Sequence, residues 1–203
     1  MVEALKQKIP TRSFTGEMWK TNASNKRRLV VDFEKKCAYC DDHDHYSGGY
    51  NSYHVEHFAP KEKFKHLEFT YDNLLYSCPY CNISKSNKWI GKDEHENIVK
   101  DQGFVDPCTD EYNRHLGRNQ DGSIAYITDV GKYMYIELKL YLKRHQLIHN
   151  LEKVRIKKKQ LKAKIDETAR NGKDTQELQE FYKQLCVIFC EYYDLFFEED
   201  CGD

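Results

Sequence analysis

The sequence predicts an α+β fold: a small strand–loop–strand–helix (ββα) core stapled by a four-cysteine zinc site and extended by a C-terminal antiparallel helical hairpin. Three observations carry this expectation. Two Cys-x-x-Cys pairs, Cys37-Ala-Tyr-Cys40 and Cys78-Pro-Tyr-Cys81, have the two-residue gap that lets four thiolates surround one tetrahedral Zn²⁺. The 37 residues between the pairs exceed what a minimal zinc ribbon needs, so further structure is built inside them. Beyond Tyr135, apolar residues recur at helical spacing up to Asn171-Gly172, and again after it.

Taken in order, residues 1–20 carry Pro10 and Gly16 with little periodicity and read as an extended arm. Asn22 or Ser24 is placed to cap a helix through Arg27, Leu29, Val30 and Phe33 towards Lys36. Asp41–Asn51 clusters Gly, Ser and Asp and reads as a loop. Ser52–Phe58 carries Tyr, Val and Phe, is stopped by Pro60, and reads as a strand. Lys61–Asp72 is a charged loop, Leu74–Ser77 a second strand, and a helix follows from Cys78 to about Asn87, with Pro79 in its first turn. Past Gly91, Phe104-Val-Asp-Pro reads as a short strand and Ser123–Thr128 as one strand of a hairpin introduced by Asp121-Gly122. From Tyr135 to about Ala169 the pattern predicts one long amphipathic helix, or two joined by a kink. A last helix from about Thr175 to Phe197 completes a hairpin whose basic and acidic arms attract one another. The chain thus divides into an arm and helix (1–36), the core (37–100) and a mostly helical extension (101–203).

Composition narrows the function classes. Hydrophobic content of 39% supports a core, and a mean hydropathy of −0.85 indicates a polar surface. No apolar run approaches membrane-spanning length, and the first residues lack the apolar segment of a signal peptide, so no membrane partner is expected. Paired cysteines with a metal fit a reducing compartment better than a disulfide framework, which places the chain in the cytoplasm. The net charge of −1 averages opposite segments: residues 1–40 hold nine Lys or Arg against four acids, and residues 174–203 hold nine acids against one Lys. Such asymmetry leaves room for a local phosphate-binding face without a global positive field, so affinity for a polyanion is modest unless a partner contributes.

Between the cysteine pairs lie groups suited to a hard cation and a phosphate. His57 follows Glu56, Asn73 precedes the second strand, and Asn82 and Lys85 stand one helical turn apart. Taken singly these are ordinary surface or capping residues; their order inside a cysteine frame is what chance rarely supplies. Asp41-Asp-His-Asp-His45 reads as a hydrophilic loop more readily than as a second metal site. Cys186 and Cys190 read as buried apolar thiols, and Cys108 and Cys201 carry no motif.

The set Cys37-Ala-Tyr-Cys40, Val55-Glu56-His57-Phe58-x-Pro60-Lys61, Asp72-Asn73-Leu74 and Cys78-x-x-Cys81-Asn82-x-x-Lys85 resembles the HNH endonucleases with a zinc-stapled ββα-metal core. Within that family it is similar to small bacterial antiphage HNH proteins of Septu and retron type, some paired with an ATPase. The resemblance implies DNA phosphodiester hydrolysis, with Cys37, Cys40, Cys78 and Cys81 on structural zinc. It implies His57 as general base, with Asn73 fixing its ring, and Glu56 and Asn82 as ligands of a catalytic Mg²⁺ or Mn²⁺. Lys85 would neutralise the scissile phosphate, with Lys61 a second phosphate contact. Two other readings stand beside it: a zinc-stabilised adaptor with a vestigial motif, and an RNA-cleaving toxin.

Overall fold

The structure, a computed structural model, describes residues 2–16 and 21–198. It is α+β, as the cysteine frame and the helical periodicity predict. The arm is not merely extended: β1 (Glu3–Ala4) pairs antiparallel with a strand more than a hundred residues later. The first helix, α1 (Asn22–Asp32), is capped by Thr21, whose hydroxyl accepts from the Ser24 amide, and not by Asn22 or Ser24. It ends at Phe33, four residues before the first cysteine, because Glu34 and Lys35 adopt positive φ to turn the chain inward.

The central hairpin is β2 (His54–His57) against β3 (Leu74–Ser77), antiparallel, with His54 opposite Ser77 and His57 opposite Leu74. Every residue of β3 is buried, as a short continuous apolar strand covered on both faces should be. Helix α2 (Pro79–Lys85) follows at once, with Cys78 as its N-cap: the Cys78 sulfur accepts from the Cys81 amide at 3.4 Å. Cys81 and Lys85, four apart, share the inner face of α2 and are fully buried, while Ile83 points to solvent. Both α1 and α2 pack against this hairpin.

The segment after Gly91 departs from expectation. Strands β4 (Ile98–Val99) and β5 (Gln102–Gly103) form a small hairpin, whereas Phe104-Val-Asp is irregular, with Phe104 buried in the core and Asn97 donating to its carbonyl. After the short α3 (Tyr112–His115), β6 (Leu116–Arg118) takes β1 on one side and β7 (Ile124–Tyr126) on the other. The Asp121-Gly122 turn joins β6 to β7, as its sequence predicts. Helix α4 (Asp129–Glu137) approaches so closely that a side chain at Gly131 would meet the His115 carbonyl at 2.0 Å.

The second of the two helical alternatives holds. The periodic stretch breaks after Glu137, where Lys139 takes a positive φ, and resumes as α5 (Lys143–Arg170). Residues 1–142 form one compact unit and residues 143–203 the other. In the second unit, α5 returns through Gly172, at φ +66°, into α6 (Gln176–Glu198). The expected attraction between arms is not by ion pairs: among the described residues no α6 side chain pairs with an α5 charge, and Glu180 pairs with Lys183 on its own helix. Lys158 instead lies over the Phe189 ring, 4.5 Å from its centroid. No α6 residue is buried, so Cys186 and Cys190 are not the sealed thiols expected; Cys201 lies outside the described residues.

Candidate active site and metal centre

The hairpin and α2 bring the four predicted cysteines together. Their sulfurs lie within 4.8 Å of one another and all four residues are fully buried. The Cys40 and Cys78 sulfurs are 3.8 Å apart, which matches the ~3.8 Å edge of a tetrahedron with Zn–S bonds of about 2.3 Å. Amides of Cys78 and Cys81 donate to the sulfurs of Cys37 and Cys78, at 3.3 and 3.4 Å. Four thiolates around a divalent ion carry two net negative charges, and two buried cations face this excess. Lys6 donates to the Cys37 carbonyl at 3.4 Å, and Arg118 to the Cys40 carbonyl at 2.8 Å. Burial, helped by its contacts with Cys37 and Cys78, pushes the Cys40 thiol well up, whereas, against its own burial, hydrogen bonds from the other three cysteines pull the Cys37 thiol well down; four thiolates together would need a cation to offset their charge. The donor set fits a closed, structural site. Neither Lys6 nor Arg118 carries a sequence signal, because each acts through a backbone carbonyl brought near by the β1–β6 pairing.

Adjacent positions on β2 point to opposite faces, so Glu56 and His57 diverge. The His57 ring is held from outside the expected set. Its Nε2 lies 2.9 Å from the Glu68 carbonyl oxygen, which can only accept, so Nε2 carries the proton and Nδ1 the lone pair. Nδ1 has no partner among the described residues and is not sealed from solvent. Burial lowers the affinity of the ring for a second proton, and the nearby Lys61 charge adds to this.

Asn73 does not touch that ring. Its side chain clamps Ala59 at both ends, accepting from the Ala59 amide at 2.8 Å and donating to the Ala59 carbonyl at 2.9 Å. It thereby fixes the turn two residues beyond His57. The same turn rests on a small apolar cluster of Ala59, Phe64 and Trp89. Lys61, partly exposed, reaches the Glu68 carboxylate at 3.4 Å.

Lys85 is also placed differently from the expectation. Its ammonium is buried, 2.8 Å from Glu56 Oε1 and 3.0 Å from the His57 carbonyl, with the Phe104 ring 5.6 Å away. A group so enclosed holds Glu56 and not a phosphate. The Tyr39 hydroxyl donates to the same Glu56 oxygen at 3.4 Å. Burial raises the Glu56 carboxyl above its ordinary range, and the Lys85 ammonium works against that rise. The Lys85 and Tyr39 contacts both fall on Oε1 of Glu56, the His57 amide also acts on this carboxylate, and the Asn82 side-chain amide makes no hydrogen bond among the described residues. A carboxylate and an amide oxygen are atoms able to take a hard cation. No direct contact joins the His57 ring to Glu56 or Asn82.

With this geometry in place, the comparisons with known proteins are specific. Residues 37–88 match the family model described as HNH endonuclease. Septu protein PtuB of Bacillus mycoides (strain KBAB4) is 28% identical over 149 aligned positions, covering 62% of this chain and 49% of that protein. The chain therefore spans about half the length of the curated relative it matches. No solved structure matches.

Proposed function

Because residues 37–88 form an HNH endonuclease domain, we propose that the chain is a metal-dependent nuclease that hydrolyses phosphodiester bonds of DNA. The observation that carries this is the tautomer of His57. With Nε2 committed to the Glu68 carbonyl, Nδ1 is a neutral, solvent-reachable base. It takes a proton from the attacking water, and the carbonyl then steadies the imidazolium formed. Asn73 and Lys85 act as positioning residues: the first holds the turn after His57, and the second holds Glu56 and joins α2 to the His57 backbone. Lys61 lies near enough to His57 to influence its protonation and, partly exposed beside Glu68, is the cation assigned to meet phosphate.

The second oxygen of Glu56 and the amide oxygen of Asn82 would hold Mg²⁺ or Mn²⁺. When bound, that ion supplies charge stabilisation at the leaving oxygen. One shared carboxylate is a weak anchor for it, and substrate phosphate completes the shell. The cysteine quartet would hold zinc, which when bound would tie Cys37-Ala-Tyr-Cys40, the hairpin and α2 into one body.

The likeness to a Septu protein supports a role in bacterial antiphage defence, and the family resemblance extends this to an ATPase partner. Supercoiled plasmid and tRNA digested side by side, with Mg²⁺, Mn²⁺ or EDTA, test the chemistry. Nicking of plasmid that EDTA abolishes is expected. Cleavage of tRNA alone would favour the toxin reading.

A further inference from the structure

Helix α6 carries more apolar surface than α5 covers. Its half-buried row, Leu178, Tyr182, Leu185, Phe189, Tyr192 and Phe196, alternates four and three residues apart. That row is the seam with α5: Lys158 lies over the Tyr182 and Phe189 rings, and Leu185 shares a cleft with Leu161. Beside it run Phe181, Ile188 and Leu195, seven residues apart and 52, 38 and 45% exposed. One helix buries a stripe of about 100° against its neighbour, and this second row falls outside the stripe.

Charge borders the strip on both sides. The cleft that holds Phe181 and Leu185 is lined across α5 by Lys157, Gln160 and Lys164, and Lys153 stands one turn before Lys157 on the same face. On the far side, Glu177 and Glu191 each precede a member of the apolar row by four residues, and Glu198 continues their seven-residue step. Several other charges of these helices pair within their own helix, as Arg155 with Glu152, Lys162 with Asp166 and Lys183 with Glu180. The three bordering lysines and the three bordering glutamates form no ion pair among the described residues. Across this face the order is cations, apolar strip, acids.

We propose that this face joins two copies of the chain, closing an antiparallel four-helix bundle about a twofold axis along the hairpin. A face with cations on one edge and acids on the other is complementary to itself. Turned about that axis, α5 of one copy lies over α6 of the other, with the apolar strips between them. Lys164 then meets Glu177, and Lys153 and Lys157 meet Glu191. The levels match because Lys164 already stands beside Phe181, and Lys158 beside Phe189, within one chain. An axis across the helices would instead stack lysines on lysines. Charge selects the orientation, while burial of the strips supplies affinity. A nucleic acid fits the face less well, because the row of glutamates repels a polyanion.

The test weighs full-length protein by size exclusion with light scattering across a concentration series. Wild type is expected at twice the 24.2 kDa chain mass. Lys153→Glu/Lys157→Glu/Lys164→Glu and, separately, Glu177→Lys/Glu191→Lys/Glu198→Lys are each expected to run as monomers. Mixed in equal amounts, the two are expected to recover the dimer, because every edge again meets its opposite. That recovery also verifies that neither set unfolds the hairpin. A monomeric wild type overturns the proposal, including one whose lysines bind an acidic protein helix or a single-stranded oligonucleotide. So does a charge-reversed chain that dimerises alone, or a mixture that stays monomeric.

Discussion

At His57 a backbone oxygen, from Glu68, decides which ring nitrogen keeps its proton, and burial decides how easily the other gains one. Because burial depresses the native affinity for that proton, the unfolded chain binds it more tightly. Stability from this ring is therefore complete above the unfolded value of about 6.5 and is lost as pH falls through the lower native value. The same ordering fixes the rate profile: the acid limb of DNA cleavage, measured as kcat/KM against pH, falls off below pH ~6.5, and a limb centred well above it would contradict the neutral-base assignment. The Glu56–Lys85 pair makes a second expectation. Removing one partner of a buried pair costs about 3–5 kcal/mol, whereas removing both leaves no orphan charge. Urea unfolding should show Lys85→Met more destabilised than Lys85→Met/Glu56→Gln. At Asn73, replacement by Ala strands both the amide and the carbonyl of Ala59, a loss of roughly 2–4 kcal/mol by the same assay.

On the proposed reading, the elements of the core depend on the quartet because Cys78, a candidate zinc ligand, caps α2 and directly follows β3. Cys78→Ser should therefore release the metal and collapse the near-ultraviolet circular dichroism of the hairpin region. A variant that melts like the wild type would deny the staple its role. Much of this level was legible in the sequence. β3 was readable because four residues covered on both faces leave an apolar run, and α2 because Pro79 and the cysteine spacing mark its first turn. Spacing also put Asn82 and Lys85 one turn apart, but spacing cannot tell which face of a seven-residue helix is sealed. The burial of Lys85 follows from Phe104 and Glu56 arriving from elsewhere in the chain. The hold on His57 was illegible for another reason: it comes through the Glu68 main chain, which any residue could supply. The pairing of β1 with β6 joins positions over a hundred residues apart, and two-residue strands carry no periodicity to announce them.

Across the whole molecule, the chain falls into two compact units. Every candidate catalytic residue and the four clustered cysteines Cys37, Cys40, Cys78 and Cys81 fall within residues 1–142, and that unit has its own apolar core. No helix among the described residues is long and apolar enough to cross a membrane. The hairpin of α5 and α6 leaves Phe181, Val187, Leu195 and Phe197 exposed along a helix with no buried residue, a surface suited to a protein partner. A fragment of residues 1–142 is expected to keep the metal and the cleavage chemistry while losing partner binding, read by nicking assays and size-exclusion with light scattering. The most direct measurement of the central assignment is divalent-dependent plasmid nicking by His57→Ala, with metal content and melting curve matched to wild type. A fall of at least about a hundredfold is expected for loss of a general base. Undiminished nicking by that variant would contradict the role given to His57.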